Sequence, residues 1–201
     1  MNSMDTLQIP LFPLGTVLFP DGILPLRIFE PRYLTMIGNC MRNGTGFGVV
    51  LISQGREAGI PAKFHKVGTV ARIDDFDQLD DGHLGLSCHG EYRFKIISHA
   101  IQDDQLITAE VAPVAAEDHS EILPEHAAMS DFVRELYHKE ALKAWAEGMQ
   151  PQWQNGEWLG CRLCEILPLS MESRQALLEM QSSERLSQLS KIMKENQIIL
   201  S

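Results

Sequence analysis

The stretch QIPLFPLGTVLFPDGILPLRIFEPRY, residues 8 to 33, decides the fold of this 201-residue chain. It carries five of the ten prolines, placed at breaks in an apolar ladder, and it ends in a charged and aromatic cluster. Pro10 and Pro13 interrupt the chain before any helix can form, and Pro20-Asp21-Gly22 joins a φ-fixing to a φ-permissive residue, the chemistry of a turn. Leu24, Leu26 and Ile28 then alternate with Pro25, Arg27 and Phe29, the period of a strand with one buried face. Glu30-Pro31 opens a helix over residues 31 to 42, with Pro31 at its first position and Leu34, Met36, Ile37, Cys40 and Met41 as its apolar side. Gly44 closes it.

Outward from this block, Phe47 to Ile52 is a continuous apolar run, Val67 to Ile73 alternates around Gly68, and Leu84, Leu86 and Cys88 line one face of another strand. Tyr92, Phe94 and Ile96 line the next after a turn expected at His89-Gly90, with Arg93 and Lys95 opposite, and Leu106 to Val111 supplies a last strand. Short strands divided by turn signals point to a small barrel or sandwich. After Pro113 the period becomes helical. Met129, Phe132, Val133 and Leu136 mark a helix expected to continue through Trp145, and Leu159, Leu163, Ile166 and Leu167 mark a second, stopped by Pro168. Leu177, Leu178 and Met180 face inward on a third, N-capped by Ser170, and Leu186, Leu189 and Met193 on a fourth. The class is α+β, with a strand-rich subdomain at residues 1–115 and a helical one at 116–201, joined through the acidic, alanine-rich segment 115–121.

The opening block, together with GVVLI at 48–52, VGTVARI at 67–73, GEYRFKII at 90–97 and the segment from Leu163 to Leu189, resembles the Lon substrate-binding domain, the N-terminal domain of the Lon ATP-dependent protease. The resemblance covers almost the whole chain. It implies a PUA-like β-barrel with one embedded helix followed by a C-terminal four-helix bundle, the two forming one domain. It also implies a non-catalytic role in binding unfolded or peptide-like protein segments. No G-x-x-x-x-G-K-[ST] phosphate loop occurs. In Lon proteases the ATPase and the Ser-Lys peptidase are separate following domains, and 201 residues leave no room for them. Ser190-Lys191, in a terminal helix, reads as a solvated pair. No cofactor and no metal are expected.

With 44% hydrophobic and 22% charged residues the composition is that of ordinary globular material. No apolar run approaches the roughly 20 residues of a membrane span, and the N-terminus lacks the regions of a signal peptide, so a cytoplasmic protein without membrane contact is expected. Four cysteines scattered through apolar positions read as reduced thiols. A net charge of −10 opposes phosphate backbones, which excludes nucleic acid as the expected partner.

Glu30, Arg32 and Tyr33 end the signature. Their plainest role is to fix the strand-to-helix corner through a carboxylate and a guanidinium, with Arg93 nearby, and a ligand role is the second reading. Pro25 and Phe29, opposite the Leu24, Leu26 and Ile28 face, are the candidate apolar recognition surface. Trp153 is an aromatic anchor for a partner, or else it and Trp158 seal the bundle against the barrel. Cys161-x-x-Cys164 has neither a second pair nor a His at ligand spacing and reads as packing. Asp74, Asp75, Asp77, Asp80 and Asp81 lack the EF-hand register and read as a hydrated hairpin tip. The alternative class is a small-molecule enzyme with its site between barrel and bundle and Cys88 or a histidine as the reactive group. Alternation, however, puts His89 across the strand from Cys88, and no third residue is found to orient a base, so no catalytic residue is assigned.

Overall fold

Residues 6–55, 57, 63–115 and 121–198 are described by the computed structural model of the chain. They fall in two units, Met1–Ala116 and Glu117–Ser201. The first carries β1 Leu7–Leu14, β2 Ile23–Ile28, α1 Pro31–Asn43, β3 Phe47–Gln54, β4 Lys63–Phe64, β5 Val67–Gln78, β6 Leu84–Ile101 and β7 Ile107–Pro113. Strand β1 pairs β7, β7 pairs β6, β6 pairs β5 and β5 pairs β3, all antiparallel, and β3 returns to pair β1 in parallel. The path of paired neighbours therefore closes on itself, while β2 stands outside it on β6 and β4 on β3.

Two apolar clusters fill the unit. One gathers Leu11, Val50, Val70, Phe94 and Val111 from the ring strands. The other packs Met36, Ile37 and Cys40 of α1 against Phe12, Leu24, Ile28, Phe47 and Cys88. Each large apolar side chain so removed from water contributes about 1.5 to 3 kcal/mol. Helix α1 stops at Gly44, whose φ of 62° is the left-handed conformation, with its N–H and that of Thr45 returning to the carbonyls of Met41 and Cys40.

Two expectations about the strands are corrected. No turn forms at His89-Gly90, and β6 runs unbroken for 18 residues. Its pairing with β5 shifts register between Thr69 and Ala71, which absorbs the irregularity that the glycine signals. Gly90 is needed there because a Cβ would strike the carbonyl oxygen of Phe19. The acidic cluster is likewise not confined to a hairpin tip. Asp74, Asp75 and Asp77 lie on β5 itself, and only Asp80 and Asp81 occupy the turn to β6.

Among its described residues the second unit has five α-helices, α2 Ala127–Tyr137, α3 Lys143–Ala146, α4 Gly156–Ile166, α5 Met171–Glu179 and α6 Ser182–Glu195, and two short 3-10 turns, where the sequence predicts four helices. Helix α2 does not continue through Trp145. Lys139, Glu140 and Ala141 are exposed, and a helical turn that buries nothing has little to hold it. Asn155 caps α4 by accepting from the N–H groups of Glu157 and Trp158, and the hydroxyl of Ser170 caps α5 by accepting from Ser173. Helix α4 is buried on almost every side, Cys161 and Cys164 included. Among the described residues no helix is long and apolar enough to cross a membrane.

Candidate binding groove

The corner between β2 and α1 is built by the residues that end the signature block. Arg32, in the first turn of α1, places Nη2 2.8 Å from Glu30 Oε2, and its Nη1 donates to the carbonyl of Gln105 at 3.1 Å. Its guanidinium lies 4.7 Å from the Tyr33 ring centroid. The Tyr33 ring in turn stacks on Phe12 at 4.0 Å. Burial pushes the Tyr33 phenol up from its ordinary value, Arg32 opposes that, and Glu30 and Glu57 add to it, so the hydroxyl keeps its proton and remains a donor near neutral pH.

Beside this corner runs a groove of about 380 Å³. Phe12, Leu14 and Thr16 line it together with the run from Leu24 to Phe29. Glu30, Tyr33 and Glu57 complete it, with Glu57 accepting from the N–H of Gly15 at 2.6 Å. Phe29 is 54% exposed and meets only the edge of His83, 5.8 Å away, among the ring contacts of the described residues. A second depression, of about 440 Å³, shares Pro25, Leu26 and Arg27 and extends to Asp75, Phe76 and Asp77. Arg27 is held by Asp81 and by His83, whose Nδ1 lies 2.9 Å from its Nη2.

Of the residues singled out from sequence, Pro25, Phe29, Glu30 and Tyr33 line the groove together and Arg32 braces it from below the surface. Arg93 does not join them. It sits on β6 opposite Thr69, is buried, and is not among the residues that line the groove. Trp153 belongs to the second unit, half-buried, with its ring against Tyr137 and Trp158 at 5.4 and 5.3 Å and Arg134 4.8 Å above it. Phe12, Leu14 and Glu57 are groove residues that sequence reasoning missed. Phe12 and Leu14 carry the same apolar signal as any core strand position, and no local pattern tells a wall from a core.

The chemistry available elsewhere is limited. Cys88 is fully buried in the core, and burial pushes its thiol up to about 12, while His89 pairs with Asp74 at 2.7 Å on the other face. Such a thiol has almost no thiolate near neutral pH. The Cys161 and Cys164 thiols are raised in the same way, and Cys161 Sγ lies 3.5 Å from Arg185 Nη1.

The chain matches the model of the ATP-dependent protease La (LON) substrate-binding domain over residues 8–195, and it belongs to that family. The Lon protease of Flavobacterium johnsoniae is 31% identical over 131 residues, 64% of this chain and 16% of that protein. The Lon protease of Anaeromyxobacter dehalogenans is 30% identical over 114 residues, 56% and 13% respectively. The matched region thus spans about a sixth or less of the length of these relatives. Among solved structures, the Lon N-terminal domain protein from Xanthomonas campestris aligns with a TM-score of 0.75 and 35% identity over 91% of this chain and 96% of its own. The N terminal domain of Mycobacterium avium complex Lon protease aligns with a TM-score of 0.67 over 90% and 95%, at 16% identity, and shares the fold.

Proposed function

We propose that the chain is a non-catalytic module that binds unfolded or peptide-like protein segments in the cytoplasm, without ATPase or peptidase activity. Its closed ring of strands is read as a PUA-like β-barrel and its longer C-terminal helices as a four-helix bundle. The observation that carries the function is the groove, which joins Pro25, Phe29, Glu30 and Tyr33 on one surface with an exposed aromatic at its rim. Apolar walls with a few polar groups suit side chains that a folded client hides and an unfolded one shows. Flexible clients lose ordering entropy on binding, so affinities in the micromolar range or weaker are expected.

The test is a peptide array of a denatured model protein, followed by titration calorimetry on the hits, with assays for ATP and peptide hydrolysis alongside. Hits that bind and no hydrolysis are the expected result. If no peptide binds while a small metabolite raises the melting temperature by several degrees, the reading fails.

A further inference from the structure

Tyr33 lines the groove with a polar group that no described residue uses. It is only 5% exposed, yet its hydroxyl makes no hydrogen bond among the described residues and is not sealed from solvent. Phe12 stacks on its ring at 4.0 Å and the Arg32 guanidinium lies 4.7 Å from the ring centroid, so the edge that bears the hydroxyl is what remains for the groove. A polar group held this far from water costs free energy until an acceptor meets it. The groove is where that acceptor enters.

The charges at the groove are not equivalent. Arg27 is held by Asp81 and His83, and Arg32 by Glu30 and the carbonyl of Gln105. Glu57 is exposed, forms no ion pair among the described residues, and accepts the N–H of Gly15 through Oε1. Its charge is therefore the one on the groove lining without a counter-charge among those residues. Glu30 and Glu57 both act electrostatically on the Tyr33 phenol, which places the two carboxylates near its hydroxyl. Phe12, Leu14, Leu24 and Ile28, all buried, supply the apolar part of the same lining.

These features select an occupant. An anionic group meets Glu57 with like charge, and a purely apolar segment leaves carboxylate and hydroxyl unmatched. A lysine side chain carries its ammonium at the tip of a four-carbon stem, far from the carbonyl that Tyr33 would bond. At the amino end of a chain the ammonium and the first carbonyl are attached to the same carbon, as a carboxylate beside a hydroxyl requires, and so is the first side chain. Resting on the protein-binding reading above, we infer that the groove takes the free amino end of a client chain that begins with a large apolar residue. The ammonium faces Glu57 with Glu30 beside it, the first carbonyl accepts from the Tyr33 hydroxyl, and the first side chain lies on Phe12, Leu14, Leu24 and Ile28. The residues that follow pass the exposed Phe29. A volume of about 380 Å³ is near the lower end of the roughly 300 to 1,000 Å³ of ligand pockets, which suits a chain end better than a long segment.

The test uses the full chain and a C-terminally amidated heptapeptide of leucine followed by glycines and serines. It is compared by calorimetry with its N-acetylated form and with the same peptide beginning in serine. Acetylation should weaken binding by about five-fold or more, and serine in first place by about ten-fold or more. Tyr33→Phe should weaken the leucine peptide by about five-fold without lowering the melting temperature, since the lost hydroxyl has no bond within the chain. Glu57→Gln should weaken the free peptide by about three-fold and leave the acetylated one unchanged. Equal binding of the free and acetylated peptides, or of the parent peptide to both variants and the unaltered protein, overturns the amino-end inference and leaves the protein-binding reading intact. A Tyr33→Phe protein that melts lower also overturns it, because the hydroxyl is then structural. Array peptides that bind when the leucine peptide does not would overturn the inference as well. If neither binds, the protein-binding reading itself falls.

Discussion

Arginine and aromatic side chains are used differently in the two units. In the first, Arg32 sits at a corner with a carboxylate partner, and Phe29 stands exposed at the rim of a groove. In the second, Arg185 is fully buried, donating to the carbonyls of Leu177 and Met180 at 2.8 and 2.9 Å, and Trp153 is ringed by Tyr137, Trp158 and Arg134. Arg185 satisfies carbonyls at the end of α5, so its role is to finish a helix. The contrast shows that an aromatic offers itself for recognition where its own unit leaves it uncovered. On the proposed function, Phe29 is then the recognition residue and Trp153 the structural one, an assignment the variants below test.

The harshest way to break the comparison is Arg185→Ala. It takes a charged donor from the buried carbonyl of Leu177 and the part-buried carbonyl of Met180 and leaves a cavity, for a combined loss of about 3 to 5 kcal/mol. All three tryptophans, Trp145, Trp153 and Trp158, lie in the second unit, so their fluorescence during urea unfolding reports on that unit directly. A midpoint shift worth less than about 1 kcal/mol would remove the capping role assigned to Arg185.

Arg32→Ala is the matching change in the first unit and should cost about 1 to 3 kcal/mol, because Glu30 and the carbonyl of Gln105 both lose a charged donor. Arg32→Lys should recover only part of this, since an ammonium cannot serve both acceptors while lying flat on the Tyr33 ring. Strand-dominated circular dichroism gives the midpoint. Unchanged stability with lost peptide binding would move Arg32 from the frame of the groove to its contact surface.

What the sequence made legible follows from how local each signal is. The β2 strand, its alternation and the start of α1 at Pro31 were readable because prolines and period-two patterning act within a few residues. The β6 strand was not readable as one piece: the glycine that marks Gly90 as a turn is demanded by the distant carbonyl of Phe19. The end of α2 was missed for the opposite reason, as Lys139, Glu140 and Ala141 just beyond it favour helix locally but are exposed. At the site, the rim residues Pro25 and Phe29 were legible from alternation. The lining by Phe12 and Leu14 depends on where β1 lies relative to β2, which only the fold determines.

The cysteines test where the two units agree. Cys88 in the first unit, with its thiol at about 12, holds its proton more tightly folded than unfolded, where an ordinary thiol titrates near 9. Its contribution is therefore complete below pH 9 and declines as pH rises from about 9 to 12, because the unfolded chain releases its proton first, with a slope of about 1.4 kcal/mol per pH unit. Cys88→Ala should flatten the stability profile by that slope between pH 9 and 11, measured by urea titration at each pH. An unaltered slope would mean that the thiol is accessible in the folded protein.

The smallest effect on stability is expected at Phe29, and it separates the two aromatic roles most directly. More than half of its surface is exposed and its ring meets one aromatic neighbour among the described residues, so Phe29→Ala should change stability by no more than about 0.5 kcal/mol. The same substitution should weaken a groove-bound peptide by about ten-fold, as loss of a central aromatic anchor does. Trp153→Ala should do the reverse, lowering stability by about 1 to 2 kcal/mol through lost edge contacts with Tyr137 and Trp158 and leaving peptide affinity unchanged. Calorimetry on both variants with one peptide decides the matter. Should Trp153→Ala abolish binding while Phe29→Ala leaves it intact, the recognition surface lies in the second unit and the groove beside β2 is only a seam.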